Sequence, residues 1–435
     1  MARMRFGTFL APHHPLGEHP TLLFQRDLDF AAHLDALGFD EFWVGEHHSS
    51  GWETIASPEL FLAAAGQRTS TIKLCTGVVS LPYHHPFTVA QRIVQLDHLT
   101  RGRVVFGTGP GALPSDAHTF GIDVMKLRNR QDEALGVITR LLRGEERFSY
   151  ECDWFKVRDA QLQLLPLQEN LPLAAASSIS PSGMQLAGKY GMGALSLAST
   201  SAEGLQALPT QWSFAEEAAA KHGQTVDRKN WRVLMIWHLA ESKKQAEQEA
   251  VMGLHRWHNE YRVGVLAQAG AKEVSDPWEL LAQTGGPEAG PKTTVIGTPD
   301  ELVTAIRHLQ HVTGGFGVVL GFAHDWANRE ATLRSWELFA RYVVPELNGY
   351  TRPLRESAQF VHDHRLEFAA GNTAAVMAKI NENERAAAAM EITRSKMAGQ
   401  TQGGGWRPAA PDLSSAAKEP GVKASAPPSQ NGDSE

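Results

Sequence analysis

Arg5-Phe-Gly-Thr-Phe-Leu-Ala11, then Leu22 to Leu37 closed by Gly38, then Glu41-Phe-Trp-Val-Gly-Glu46: the chain begins as strand, helix, strand. The two short runs are apolar and rich in aromatic residues, the segment between them has helical period, and Gly38 stands where a helix needs a left-handed residue to stop. A helix between two strands makes them parallel. The alternation then continues. Strand-like runs at Ile72–Val78, Arg103–Gly109, Pro172–Ser177, Ala194–Ala198, Trp231–Leu239 and Phe316–Phe322 bring the count to about eight units. Pro58–Arg68 and Pro86–Leu99 each open with proline in the first helical turn, where its missing N–H costs nothing. No strand runs into a G-x-G-x-x-G helix start, so the expected fold is an α/β (β/α)8 TIM barrel rather than an open doubly wound sheet.

Composition fits one large domain with additions. The chain has 435 residues, 42% of them hydrophobic, enough for a barrel core. Its net charge of −7 arises from 41 basic and 48 acidic residues with no basic stripe, which argues against a nucleic-acid partner. Cys75 and Cys152 are too few and too far apart for a disulfide framework, so a reducing compartment, the cytoplasm, is expected. No leader-like or membrane-length apolar stretch is present in the sequence, and no membrane partner is expected. The predicted organisation is a barrel over residues 1–348, a helical extension over 349–398 and a disordered Pro/Ser/Ala/Gly-rich tail over 399–435. Two insertions interrupt the barrel: a strand-and-turn segment around Phe148–Leu165, and Gln268–Thr293, which reads as a lid.

In such a barrel the active site lies at the C-terminal ends of the strands. Those ends carry His13-His14, Glu46-His47-His48, Thr76-Gly77-Val78, Tyr83-His84-His85, Gly107-Thr-Gly109-Pro-Gly111 and Ser177-Ser178-Ile-Ser180-Pro-Ser182. Serines at a helix start offer hydroxyl and N–H donors to a phosphate, although serine is also an ordinary N-cap. Glycines at 107–111 let a flat or phosphorylated ligand approach the backbone. Three histidine pairs raise the idea of a metal-dependent hydrolase; neighbours in an extended chain point to opposite sides, which limits each pair to one inward ligand, and no metal is expected. His47 or His48 is the best candidate for acid–base chemistry, with Glu46 able to orient it, whereas packing and capping account for His84 and His85. Trp52, Trp237 and Trp257 are candidates to line an apolar cavity.

Several of these pieces together resemble the flavin-dependent, bacterial-luciferase-like monooxygenases: Arg5–Leu10, Gly38-Phe-Asp40 with Glu46–His48, Thr76–Pro82, Gln95–Arg103 and Gly297–Glu301, in the family's order. Within it, Val44–Ser49, Gly109–Asp116 and Ser178–Pro181 are most similar to the limonene 1,2-monooxygenase group. The resemblance implies a two-component enzyme that takes reduced FMN, or FAD, from a separate NAD(P)H:flavin reductase and uses O2 to epoxidise or otherwise oxygenate a small apolar substrate, for example a monoterpene such as limonene. It implies a homodimer, with His47 and Glu46 as catalytic residues and Thr76, Gly77, Val78, Gly109, Arg128, Ser178, Ser180 and Gly183 around the flavin. In the family the peptide matching Gly77–Val78 is cis. Pro110 departs from the arginine found in luciferase itself, leaving the phosphate to Ser178, Ser180, backbone N–H groups and Arg128. An F420-dependent hydride-transfer enzyme and a non-catalytic flavin-binding protein are the alternatives.

Overall fold

A computed structural model describes residues 3–11, 13–268, 270–284 and 292–400. Eight parallel strands close into a ring: β1 (Arg5–Leu10), β2 (Glu41–Val44), β3 (Lys73–Thr76), β4 (Val104–Gly109), β5 (Leu173–Ser177), β6 (Gly193–Ser196), β7 (Trp231–Leu239) and β8 (Val318–Phe322). The ring closes through β6–β7, β7–β8 and β8–β1 pairing. The expected (β/α)8 barrel is the observed fold. The crossover helices are α1 (Pro20–Leu37), α2 (Pro58–Gly66), α3 (Pro86–Leu99), α4 (Leu127–Leu142), α5 (Ser182–Tyr190), α6 (Ala202–Lys221) and α7 (Lys243–Arg256), with a further helix, Pro299–Thr313, leading into β8, and α8 (Arg329–Leu338) follows the last strand. Gly38 ends α1 in the left-handed conformation, and proline opens α2 and α3, as the punctuation predicts.

Three further features surround the ring. Phe148–Glu151 and Lys156–Ala160 form an antiparallel hairpin within the first expected insertion. Of the expected lid, part lies outside the described residues; Pro277–Thr284 within it is helical. After it, Thr294–Gly297 forms a strand the sequence reading missed, parallel to the second half of β7. The chain divides into two compact units at Arg352, and the second carries the helices Arg352–Asn381 and Glu384–Gln400. The expected tail, residues 399–435, lies outside the described residues beyond Gln400. No described helix is long and apolar enough to cross a membrane. Cys75 and Cys152 are both unpaired.

Strand alternation sorts side chains between the lumen and the helix layer. Phe9, Trp43, Cys75, Val105, Leu195, Leu234 and Leu320 fill one cluster in the lumen, while Phe6, Phe42, Leu74, Val104, Val233 and Val319 pack under the helices. Trp237 belongs to the second set. It stacks on Phe339 at 4.5 Å and meets Trp336 at 4.8 Å, so it does not line a lumen cavity, which corrects the expectation for it. At the start of β2 and β7 the lumen holds an ion pair: Arg232 meets Glu41 through Nε at 2.7 Å and a second nitrogen at 3.0 Å. Trp43 Nε1 donates to the same carboxylate at 2.8 Å, and the guanidinium lies 4.8 Å from the Trp43 ring centroid. Burial works against the Glu41 charge, but Arg232, Arg5 and the Trp43 donor hold its carboxyl below the usual range.

Both residues are almost fully buried, 1% and 2% exposed, so removing Arg232 leaves the Glu41 charge away from water with the 35%-exposed Arg5 as its remaining cation. Arg232→Met is expected to destabilise the protein by about 3–5 kcal/mol, and Glu41→Leu combined with it to recover much of that loss. Urea unfolding of the two variants checks this; equal destabilisation by both would contradict it.

Candidate active site

The strand ends gather on one face because all eight strands run the same way. Past β2 the chain stays extended, so Glu46 and His48 point to one side and His47 to the other. On the first side, Glu46 Oε1 lies 2.8 Å from His48 Nε2 and 2.7 Å from His84 Nε2, and Oε2 accepts the Ser80 N–H at 2.9 Å. Burial opposes the charge on Glu46, yet these donors hold its carboxyl below the ordinary value. His84 is therefore part of the constellation and not merely a turn residue, a correction to the sequence reading. The three ligand-type atoms of Glu46, His48 and His84 lie within 4.8 Å of one another, a set chemically able to take a cation. The hydrogen bonds account for all three side chains as they stand.

On the other side His47 lies between two carboxylates that the sequence reading missed. Its Nε2 is 3.2 Å from Glu53 Oε1 and its Nδ1 is 3.3 Å from Asp116 Oδ2. Glu46, expected to orient His47, faces away from it. Both imidazole nitrogens face carboxylate oxygens, Nδ1 in a hydrogen bond and Nε2 in an ion-pair contact: burial works against the cation, but the Asp116 hydrogen bond and the charges of Glu53, Asp116 and Glu46 raise the His47 pKa. Asp116 also accepts from Ser49 Oγ and, at 3.1 Å, from the His48 N–H. It falls in the Gly109–Asp116 segment already notable in the sequence, whereas Glu53 had no such signal.

Glu53 reaches further. His13 Nε2 lies 2.9 Å from its Oε1 and the Tyr261 hydroxyl donates to Oε2 at 2.7 Å. Trp257 Nε1 in turn lies 3.1 Å from His13 Nδ1. Trp257 and Tyr261 come from a π-helical turn, Trp257–Val263, that follows α7. His13, Trp257, Tyr261 and Phe322 form an aromatic wall, with His13 4.3 Å from Tyr261 and 4.9 Å from Phe322 between ring centroids. Trp52 packs behind Tyr261 at 5.4 Å.

The residues expected around a flavin occupy the β3–β4–β5 side. Thr76 is fully buried; its hydroxyl donates to the Gly107 carbonyl and accepts the Gly107 N–H, both at 2.8 Å, so it staples β3 to β4. The Gly77–Val78 peptide is cis. A Cβ on Gly109 would lie 2.4 Å from Val78 Cγ2, so glycine lets Val78 seat flush against β4. A Cβ on Gly183 would meet the Ala176 carbonyl oxygen at 2.2 Å, which presses the first turn of α5 onto the end of β5. No side chain caps that turn. The serines are thus not its N-cap: Ser180 Oγ and Ser182 Oγ lie 2.9 Å apart, Arg128 Nε donates to Ser182 Oγ at 3.3 Å, and Ser178 is exposed, its carbonyl accepting from Gln211. Ser177 Oγ is buried and without a partner among the described residues, as is the Tyr83 hydroxyl, whose pKa burial and the charges of Asp116 and Glu46 push up to about 12. An uncapped helix start, three hydroxyls and an arginine suit a phosphate, and the Val78 platform suits a flat ring.

A family model described as luciferase-like monooxygenase matches residues 4–315. The chain belongs to this family. Among curated relatives of this luciferase-like monooxygenase, 4-hydroxyprotoasukamycin monooxygenase of Streptomyces nodosus subsp. asukaensis is 49% identical, the match covering 80% of this chain and 94% of that protein. Limonene 1,2-monooxygenase of Rhodococcus erythropolis is 46% identical over 83% of this chain and 92% of that one. Among solved structures, the oxygenating constituent of 3,6-diketocamphane monooxygenase from Pseudomonas putida, in complex with FMN, superposes with a TM-score of 0.65 at 26% identity, covering 79% of this chain and 99% of that chain.

The luciferase-like chain has a cavity of about 330 Å³ beside the exits of β1 and β8, lined in part by His13, His14, Arg26, Asp27, Phe30 and Asp325. His14 Nε2 lies 2.9 Å from Asp27 and its Nδ1 lies 2.7 Å from Asp325. Burial alone would lower the His14 pKa; the hydrogen bonds to Asp27 and Asp325, and their charges, carry it from 6.5 up to about 9. A pKa raised by folding adds stability that is whole below the unfolded value and lost as pH rises through the folded one. The stability advantage of the native chain over His14→Gln is therefore expected to hold below pH 6.5 and to fade by about pH 9. Denaturant midpoints of both proteins across that range measure it; an advantage growing with pH would refute the assignment.

Proposed function

We propose that the chain is the oxygenase component of a two-component flavin-dependent monooxygenase, taking reduced FMN from a separate reductase and oxygenating a small apolar organic molecule. The observation that carries this reading is the shared barrel face: an uncapped, hydroxyl-rich helix start on one side and, on the other, a half-buried His47 hydrogen-bonded to Asp116 and ion-paired with Glu53 beneath an aromatic wall. FMN in the diketocamphane enzyme and the names of the two relatives support the cofactor and the substrate class, with epoxidation of a monoterpene as one instance. Reduced flavin, when bound, supplies the electrons that activate O2, so that one oxygen atom enters the substrate and the other leaves as water.

The chain's own residues have three tasks. Ser177, Ser180, Ser182, Arg128 and the N–H groups opening α5 would hold the phosphate, and Gly77, Val78 and Gly109 would support the ring. Trp257, Phe322, Tyr261 and Trp52 exclude water from the reacting end, which limits wasteful side reactions. His47, its pKa raised between Asp116 and Glu53, is the group positioned to give up a proton as oxygen is transferred.

His47→Ala is expected to keep the fold and flavin binding while lowering coupled oxygenation by about 100-fold or more. Product formation from a terpene panel, with a flavin reductase, NAD(P)H and O2, tests this, and full coupled activity would remove His47 from the mechanism. Ser180→Ala is expected to weaken reduced-FMN binding by about 0.5–1.5 kcal/mol, the net worth of one hydrogen bond. An unchanged anaerobic dissociation constant would move the phosphate away from Ser180.

A further inference from the structure

We infer that Glu53 is a positioning residue for His47, a carboxylate locked by donors from two separate segments so that it fixes the imidazole and keeps both of its nitrogens protonated. The inference rests on the reading of His47 as the group that holds the proton.

The lock can be followed atom by atom. An indole N–H can only donate, so His13 Nδ1 accepts from Trp257, and the His13 proton sits on Nε2, directed at Glu53 Oε1 at 2.9 Å. His47 Nε2 shares that same oxygen at 3.2 Å, while the Tyr261 hydroxyl occupies Oε2 at 2.7 Å. Rotating the carboxylate would break all three contacts. Backbone geometry adds to the hold, because His13 and Glu53 also form a β-bridge between the segments after β1 and β2.

Charge makes Glu53 depend on His47. The carboxylate is 4% exposed; His13 brings it one N–H and Tyr261 a phenol O–H, whereas His47 faces a carboxylate on each ring nitrogen. Asp116, on the opposite ring nitrogen, has two further donors in Ser49 and the His48 N–H. The remaining charged neighbour, Glu46, is turned toward His48 and His84. A buried carboxylate with one cationic partner holds that partner's proton more firmly than an exposed one would.

Histidine-selective 15N NMR on the intact chain, with the His47 signal assigned by its loss in His47→Ala, tests this without turnover. In the native protein both His47 nitrogens are expected to show the protonated signature at pH 7.5; a singly protonated tautomer would overturn the inference. In Glu53→Gln, which keeps the shape and removes the charge, His47 is expected to lose its proton at a pH at least one unit lower, a tenfold or greater loss of proton affinity, and the alkaline limb of coupled oxygenation to move with it. An unmoved His47 titration in the folded variant would also overturn it. A shifted titration with oxygenation unchanged at every pH would support Glu53 as the positioning residue and instead remove His47 from the proposed chemistry.

Discussion

Parallel strands closed into a ring all leave it by the same end, and most of this molecule's chemistry follows from that constraint. The entry end of the lumen is sealed by Glu41 and Arg232, a charged pair joined by Arg5, Trp43 and the Asn230 carbonyl. Apolar layers from Phe9, Trp43, Leu234 and Leu320 fill the middle. At the exit end polar side chains reappear, borne by the segments that follow β1, β2, β3 and β5. The barrel thus separates one ionic cluster that serves folding from another available to a ligand.

At the exit end the buried carboxylates are each matched to histidine. Glu46 takes His48 and His84, Glu53 takes His13 and His47, and Asp27 with Asp325 takes His14. A lone carboxylate there would be expensive to keep ionised, whereas an imidazole in contact offsets part of the desolvation, and His14, His47 and His84 are in turn driven toward the cation. Alternation of the extended chain after β2 assigns His47 to one group and its two neighbours to the other, so adjacent residues work in electrostatically distinct surroundings.

The barrel was legible because its signal is local. Each strand is a short apolar run, each crossover helix has its own period and punctuation, and all eight strands lie where those runs do. His47 and the serines of α5 were legible because strand ends are the functional end of such a barrel. Their partners were not: Tyr261 meets Glu53 across 208 positions, and Asp116 meets His47 across 69, separations that no periodicity reports. Serine as a helix cap was a sound local expectation that the backbone at Pro181 overrode. The outward direction of Trp237 was readable in principle, since it alternates with Leu234 and Ile236 as a residue of opposite parity along β7.

β7 changes partner partway along its length. Arg232 to Met235 pair with β8, whereas Ile236 to Leu239 pair with the extra strand Thr294–Gly297. The wall therefore forks above Met235, and the eight-strand closure is complete below the fork. The outer prong supplies backbone partners to the upper half of β7, so that edge is already occupied and cannot template pairing with a strand of another chain.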